Sequence, residues 1–189
     1  RGDQVVATGR NLEALQELKL AYGERLLPLQ LDVTDRAASF EAVMKAKQHF
    51  GRIDVLINNA GYGLFGTVEE TSEAEARSQM ETNFFGLLWL TQAVLPIMRA
   101  QQSGHIIQVS SFLGLVTLPV LGLYNASKFA VEGLSETLAA EVKDFGEVER
   151  NTATVFVTLR RGIPNVDSVR VGVGPRATIG NRIQILRGG

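Results

Sequence analysis

Short apolar runs alternate with longer stretches of helical period over the first three-quarters of the chain. Val5-Val6-Ala7 predicts a short buried strand, and residues 26–31 predict a second that ends at Asp32. Between them Asn11 is placed to cap a helix running to about Tyr22, with Leu12, Leu15 and Leu18 inward and Gly23 closing it. Residues 35–50 predict a second helix, with Phe40, Val43 and Met44 on one stripe and Gly51 after it. Further strands are predicted at 54–58 and 105–109. Ser72 opens a long helix and Glu75 completes a capping box. Its inward stripe reads Met80, Phe84, Leu87, Leu88, Thr91, Val94, Leu95 and Met98, while Phe85, Trp89 and Ile97 form a second one; Pro96 predicts a kink. The last helix opens near Tyr124, with Ala130, Gly133, Leu134, Thr137 and Leu138 on one side and Val131, Val142 and Phe145 elsewhere. Strands alternating with helices imply βαβ units and a parallel sheet covered on both faces.

Composition narrows the function. The 189 residues are 45% hydrophobic with a net charge of −1, which suits one globular domain and offers no basic excess for nucleic acid. Zero cysteines exclude disulfides, thiolate metal sites and a cysteine nucleophile, and fit a reducing compartment, so a cytoplasmic location is expected. His49 and His105 stand alone at element ends and suggest no metal site. No signal peptide opens the chain and no apolar run is long enough to span a bilayer. The chain runs from Arg1-Gly2-Asp3 straight into a strand without an initiator Met, which reads as a fragment cut inside a domain.

The character of the sequence changes after Gly146. Residues 1–146 hold 12 Lys+Arg against 17 Asp+Glu, whereas residues 147–189 hold 7 basic residues, all Arg, against 3 acidic ones. Residues 154–159 suit one strand, and residues 160–189 have no helical period. Two regions are therefore expected: a core over 1–146 and an atypical segment over 147–189, with a shifted reading frame or an artificial junction near 147 as its explanation.

The candidate chemistry lies between Val109 and Ala130. Ser111 stands at the end of an apolar strand, and Tyr124 and Lys128, four residues apart, project from one face of a helix. A phenol beside an ammonium gives up its proton more readily, and a nearby hydroxyl can hold a carbonyl oxygen. Tyr-x-x-x-Lys alone is a weak signal that solvated helix faces produce by chance. The order is specific: Asp32-Val33, Asn58-Asn59-Ala60-Gly61, Asn83, Ser111, Tyr124, Lys128. This series resembles the short-chain dehydrogenase/reductase family over residues 2 to about 146.

The resemblance implies an α/β, Rossmann-like, doubly wound parallel sheet, here incomplete. It implies that Tyr124 is the general acid/base, that Lys128 assists it and binds the nicotinamide ribose, that Ser111 orients the substrate oxygen, and that Asn83 holds a water linking the lysine to solvent. Asn83 could instead be a buried amide bonded to backbone. Asp32 and Val33 match the family's adenine contact, although the same stretch could serve as a helix cap. Asn59, Ala60 and Gly61 end a strand at the ligand edge of such a sheet, where small residues let a cofactor approach; the asparagine amides could also tie strands together.

At the end of the first strand, where a carboxylate would hold the ribose 2′-hydroxyl of NAD, the sequence has Gly9-Arg10. A guanidinium suits a 2′-phosphate, so NADP(H) is expected over NAD(H), unless Arg10 is only a surface residue. The family's first strand and its glycine-rich phosphate turn are missing. Gly172-Val173-Gly174 and Gly180 do not replace them in spacing or context. The sheet is therefore expected to expose the edges of its first and third strands.

Apolar walls at 112–116, 118–123, Tyr62, Leu64 and Phe65 suggest a hydrophobic alcohol or ketone as substrate. The resemblance also implies a homodimer or homotetramer through helices 72–100 and 124–145; an ordinary buried helix pair would read the same way. The parent is read as an NADP-dependent oxidoreductase interconverting a hydrophobic secondary alcohol and a ketone or aldehyde. The alternatives are an inactive fragment and a non-catalytic dinucleotide-fold protein that acts through oligomer contacts.

Overall fold

The structure is a computed structural model that describes residues 2–142 and, as backbone strands, 148–151, 154–159 and 183–187. Phe145, Gly172–Gly174 and Gly180 lie outside the described residues. Each predicted unit forms where its local chemistry places it. Strand β1 (Gln4–Gly9) leads to helix α1 (Leu12–Tyr22), whose N-terminal amide at Ala14 is capped by the Asn11 side chain. Strand β2 (Leu26–Gln30) follows, then α2 (Arg36–Phe50), capped by Asp35 at one end and closed by Gly51 in the left-handed region at the other. Strand β3 (Val55–Asn58), α3 (Glu73–Met80), α4 (Gly86–Gln101), β4 (Gly104–Gln108) and α5 (Gly122–Glu141) complete the alternation. Ser72 and Glu75 form the expected capping box.

The core is where β3 and β4 meet α2 and α4. Leu56, Val94, Met98 and Ile106 are wholly buried there, and each such side chain stabilises the fold by roughly 1.5–3 kcal/mol relative to exposure. Close packing depends on two glycines. A Cβ at Gly104 would lie 2.4 Å from the Met98 side chain, and one at Gly86 would lie 2.6 Å from Val33 Cγ2.

Several faces differ from the sequence reading. On α2, Met44 is 61% exposed, and the buried seam is Ser39, Ala42, Val43 and Ala46. Small residues let this helix approach α4 closely, so the seam runs one step around from Phe40 and Met44. On α4, Leu90 and Ala93 join Leu87, Thr91, Val94 and Met98 inside, whereas Leu88 and Leu95 are only half-buried. Pro96 sits on the solvent side within the continuous α4, where a missing amide is tolerated. On α5 the buried line is Val131, Ser135, Leu138 and Ala139, continued by Val142 just past its end; Gly133 and Thr137 are exposed.

The largest correction concerns the sheet. Its order is β2-β1-β7-β3-β4-β6-β5, with β5 (Val148–Asn151), β6 (Thr154–Leu159) and β7 (Ile183–Arg187) drawn from the last segment. That segment therefore supplies three strands among the described residues, where the periodicity suggested one. The pairs β1/β2 and β3/β4 are parallel, as expected. The edges of β1 and β3 are not exposed: β7 lies between them and pairs antiparallel with both, matching Thr8 and Asn58 to Ile183. Two unsatisfied strand edges accept any extended segment that can complete their ladders, and backbone amides do not require a parallel partner. Strand β6 joins the other side of β4, also antiparallel.

Candidate active site

The carboxyl ends of β3 and β4 converge on the start of α5. The helix run between Ser72 and Gln101 is not regular. Residues Glu81–Phe85 form a π turn, in which the Gly86 amide bonds to the Glu81 carbonyl five residues back. Asn83, 1% exposed, lies in this turn. Its Nδ2 donates to the Tyr62 carbonyl and to Ser127 Oγ, both at 3.0 Å, and its Oδ1 accepts from the Tyr62 amide at 3.0 Å. Gln79 Nε2 donates to the same Tyr62 carbonyl at 2.8 Å, so two amides pin the loop that follows β3. The Asn83 side chain is thus a buried amide bonded to the Tyr62 backbone and to Ser127.

On α5, Tyr124, Ser127 and Lys128 form one cluster. Ser127 Oγ donates to the Tyr124 carbonyl at 2.8 Å, an i to i−3 contact typical of serine on a helix. Lys128 is 6% exposed, its Nζ donates to the Val109 carbonyl at 2.8 Å and lies 5.7 Å from the centre of the Tyr124 ring. Burial pulls the Lys128 ammonium down to about 8, with the Glu132 carboxylate opposing the shift. Ser111 caps the short 3-10 turn Phe112–Gly114, accepting from the Leu113 amide at 3.2 Å, so its own hydroxyl proton is left to donate. Beside it, Ser110 Oγ is buried without a protein partner.

The Asn-Asn-Ala-Gly turn divides its labour. Asn58 is buried and its amide donates to Gln108 Oε1 at 2.8 Å and Thr91 Oγ1 at 3.1 Å, tying β3 to β4 and α4. Asn59 and Ala60 are half-buried at the sheet edge. Gly61 faces the cluster directly: a Cβ there would lie 3.2 Å from Asn83 Oδ1 and 3.7 Å from Lys128 Nζ.

The other candidates stand apart from this cluster. Val33 is buried against Gly86. Asp32 is exposed, and its Oδ1 accepts from the amide and hydroxyl of Thr34 at 3.0 and 2.8 Å, while Asp35 caps α2. Arg10 is exposed just after β1, its carbonyl accepting from Gln30 Nε2 at 3.0 Å. The residues fit one half of a nicotinamide dinucleotide better than the other. Gly61, lacking a side chain, brings its backbone close to the buried Lys128 amine. No glycine-rich turn opens a helix beside β1 among the described residues, and the central slot that leads into such a turn in doubly wound folds is filled by β7. No cluster of three metal-ligating side chains occurs among the described residues, and no helix there is long and apolar enough to cross a membrane.

Sequence reading missed Gln79 and Ser127, and took Tyr62 only as an apolar wall. The signals for them were slight: glutamine and asparagine four apart in a helix that otherwise turns apolar, and a serine between the paired tyrosine and lysine.

Comparison with known proteins bears on this arrangement. The short chain dehydrogenase family model matches residues 1–158. Oxidoreductase BOA17 of Botryotinia fuckeliana is 47% identical over 146 residues, 77% of this chain and 53% of that protein. The 3-ketodihydrosphingosine reductase of Bacteroides thetaiotaomicron is 50% identical over 117 residues, 62% of this chain and 44% of that one. The chain thus spans about half the length of the curated relatives it matches. A short-chain dehydrogenase from Streptomyces avermitilis superimposes with a TM-score of 0.73 at 42% identity, covering 75% of this chain and 52% of that one. Two neighbours carry different dinucleotides. ElxO is solved with NADP (TM-score 0.71, 34% identity, 74% and 58% covered), and a Burkholderia phymatum enzyme with NAD (0.71, 31%, 75% and 52%).

Proposed function

The chain belongs to the short-chain dehydrogenase family, and from that premise we propose that it is the catalytic part of an NADP-dependent oxidoreductase that interconverts a hydrophobic secondary alcohol and the corresponding ketone or aldehyde. The observation that carries the reading is the buried Lys128 on α5, bonded to the Val109 carbonyl just past β4 and 5.7 Å from the centre of the Tyr124 ring, with Asn83 tied to the same helix through Ser127 and Ser111 capping the turn that follows β4. A bound nicotinamide would supply or accept the hydride at the substrate carbon. In the reducing direction the Tyr124 hydroxyl gives its proton to the developing alkoxide, and the Ser111 hydroxyl donates a hydrogen bond to the same oxygen. Lys128 holds positive charge beside the Tyr124 ring, favouring the phenolate left behind, and its remaining protons can reach ribose hydroxyls. Asn83 fixes the loop after β3 against α5 and thereby the space beside Gly61.

Arg10 supports NADP over NAD, because its exposed guanidinium follows β1 where a carboxylate would repel a 2′-phosphate. Two things support an apolar carbonyl substrate. The segments 60–68 and 109–123 contain no charged residue, and Phe65, Phe112, Leu115 and Leu118 are exposed on them. One relative is named for reducing 3-ketodihydrosphingosine. A homo-oligomer through α3–α4 and α5 is supported by half-buried Phe85 and Trp89, stacked at 5.7 Å with Arg36 over the indole, and by exposed Gly133 and Thr137.

The test is reduction of a panel of aliphatic and aromatic ketones by NADPH, using a chain supplied with a preceding βα unit that carries the glycine-rich turn. Turnover that needs Tyr124 and prefers apolar ketones supports the proposal. Turnover unaffected by Tyr124→Phe overturns it.

A further inference from the structure

Val120 holds a backbone conformation that its side chain disfavours. Pro119 and Val120 are the central residues of a tight turn ahead of α5, and Val120 has φ +59°. A β-branched residue at positive φ is an outlier, and the second central position of such a turn normally takes glycine. Among the described residues Gln102 is the only other non-glycine with positive φ, and it ends α4, where that conformation is ordinary.

The turn is held on both sides. The Val120 carbonyl accepts from the Gly66 amide at 2.9 Å, and Gly66 and Leu121 form a parallel bridge. The Leu118 carbonyl accepts from Asn125 Nδ2 at 3.0 Å, and the Leu121 carbonyl accepts the Asn125 amide at 2.8 Å. These bonds use backbone groups and the Asn125 side chain, so they need a turn of this shape but no valine in it. A glycine would make the same turn without strain. Val120 is 51% exposed, four residues before Tyr124, beside the Gly66–Leu121 bridge that joins the uncharged loops 60–68 and 109–123. It therefore does little for the core.

Strain that the fold does not need points to a role for the side chain itself. We infer that Val120 is a specificity-determining residue: its isopropyl group forms an apolar wall for the tail of the carbonyl substrate, and is kept there against the backbone's preference. This rests on the reading of the site as one for an apolar carbonyl compound.

The test uses the chain of 189 residues as it stands and does not require turnover. The probe is 2-decanone, titrated by saturation-transfer NMR, with thermal unfolding of the same samples. Val120→Gly should raise the melting temperature by about 2–5 °C, since strain is released. It should also weaken 2-decanone binding roughly 3- to 10-fold, the loss expected for a partly buried aliphatic group. Val120→Asn, which tolerates positive φ, should likewise keep the fold and lose affinity. Unchanged affinity in both variants overturns the role of Val120 and leaves the apolar-substrate reading intact. A melting temperature that falls in Val120→Gly by the full entropic cost of a glycine shows that the turn is not strained and overturns the inference as well. Failure of the unsubstituted chain to bind 2-decanone overturns the substrate reading and, with it, this one.

Discussion

The two halves of the proposed cofactor edge are built to different standards. Around Asn83, Ser127 and Lys128 the elements are cross-tied: the segment after β4 to α5 through Lys128, the π turn to α5 through Ser127, and the π turn and α3 to the loop after β3 through Asn83 and Gln79 on Tyr62. Around Arg10 and Asp32 the ties are local. Asp32 bonds within its own turn, Arg10 is linked through its carbonyl to Gln30, and the neighbouring slot holds a reversed strand. Positioning of reactive groups can thus persist in a chain whose means of holding pyrophosphate is absent from the described residues. On the proposed function, catalytic geometry and cofactor affinity are separable in this architecture.

Four experiments bear on that separation. The largest effect should fall on the chemistry. In a chain supplied with the glycine-rich βα unit, Tyr124→Phe should lower turnover roughly 10²–10⁴-fold while NADPH binding persists; parallel loss of binding would mean that the two halves are not separable. The chain alone is next: titration by NADPH fluorescence should show binding weak or undetectable, and no dehydrogenase activity, because no helix start with a glycine turn is present among the described residues to receive the pyrophosphate. Micromolar binding by a well-behaved monomer would mean that the segment from 147 to 189 replaces the turn. Third, Arg10→Ala in the supplemented chain should cost NADPH about 1.5–3 kcal/mol, or roughly 10- to 100-fold in Kd, and NADH much less. Equal losses for both cofactors would remove Arg10 from the cofactor site.

The smallest effect is a pH dependence of stability. The folded state lowers Lys128 from an ordinary 10.5 to about 8 through burial. Between these values the unfolded chain binds the proton and the folded one does not, so raising pH favours folding. The destabilisation from the buried charge is full below about 8 and gone above about 10.5. Urea midpoints should therefore rise from about pH 7 to about pH 10.5 in the natural chain relative to Lys128→Met, in which the difference disappears. A pH-independent gap between the two would show that Lys128 keeps its proton in the folded state as it does in the unfolded one.

Most of the parallel framework was legible because its signals are local. Asn11, Asp35 and Ser72 cap the helices they precede, and the apolar strands occur where the runs are. Tyr124, Lys128 and Ser111 were singled out by their order after Asp32, Asn58 and Asn83, since Tyr-x-x-x-Lys alone is a weak signal. What escaped depends on contacts distant in sequence or on small residues. The α2 seam is made largely of alanines and Ser39, which hydrophobic scanning ranks low. The partner of the β1 and β3 edges comes from Ile183–Arg187, far along the chain from either, and its reversed direction has no signature in so short a run. The strain at Val120 is invisible in sequence because Pro-Val reads as an ordinary extended pair.

The π turn at Glu81–Phe85 sets the rotational phase of everything before it relative to α4. A regular helix advances by about 100° per residue, so one residue more or less in that turn would swing α3 through about a quarter of a circle. Deleting Thr82 would let the hydrogen-bond ladder close as a continuous α-helix, a locally favourable repair. It would also carry Ser78 and Gln79 away from Tyr62 and leave that carbonyl to Asn83 alone. The irregularity therefore acts as a gear tooth between two helices, and single-residue insertions or deletions should be least tolerated there of any point between Ser72 and Gln101.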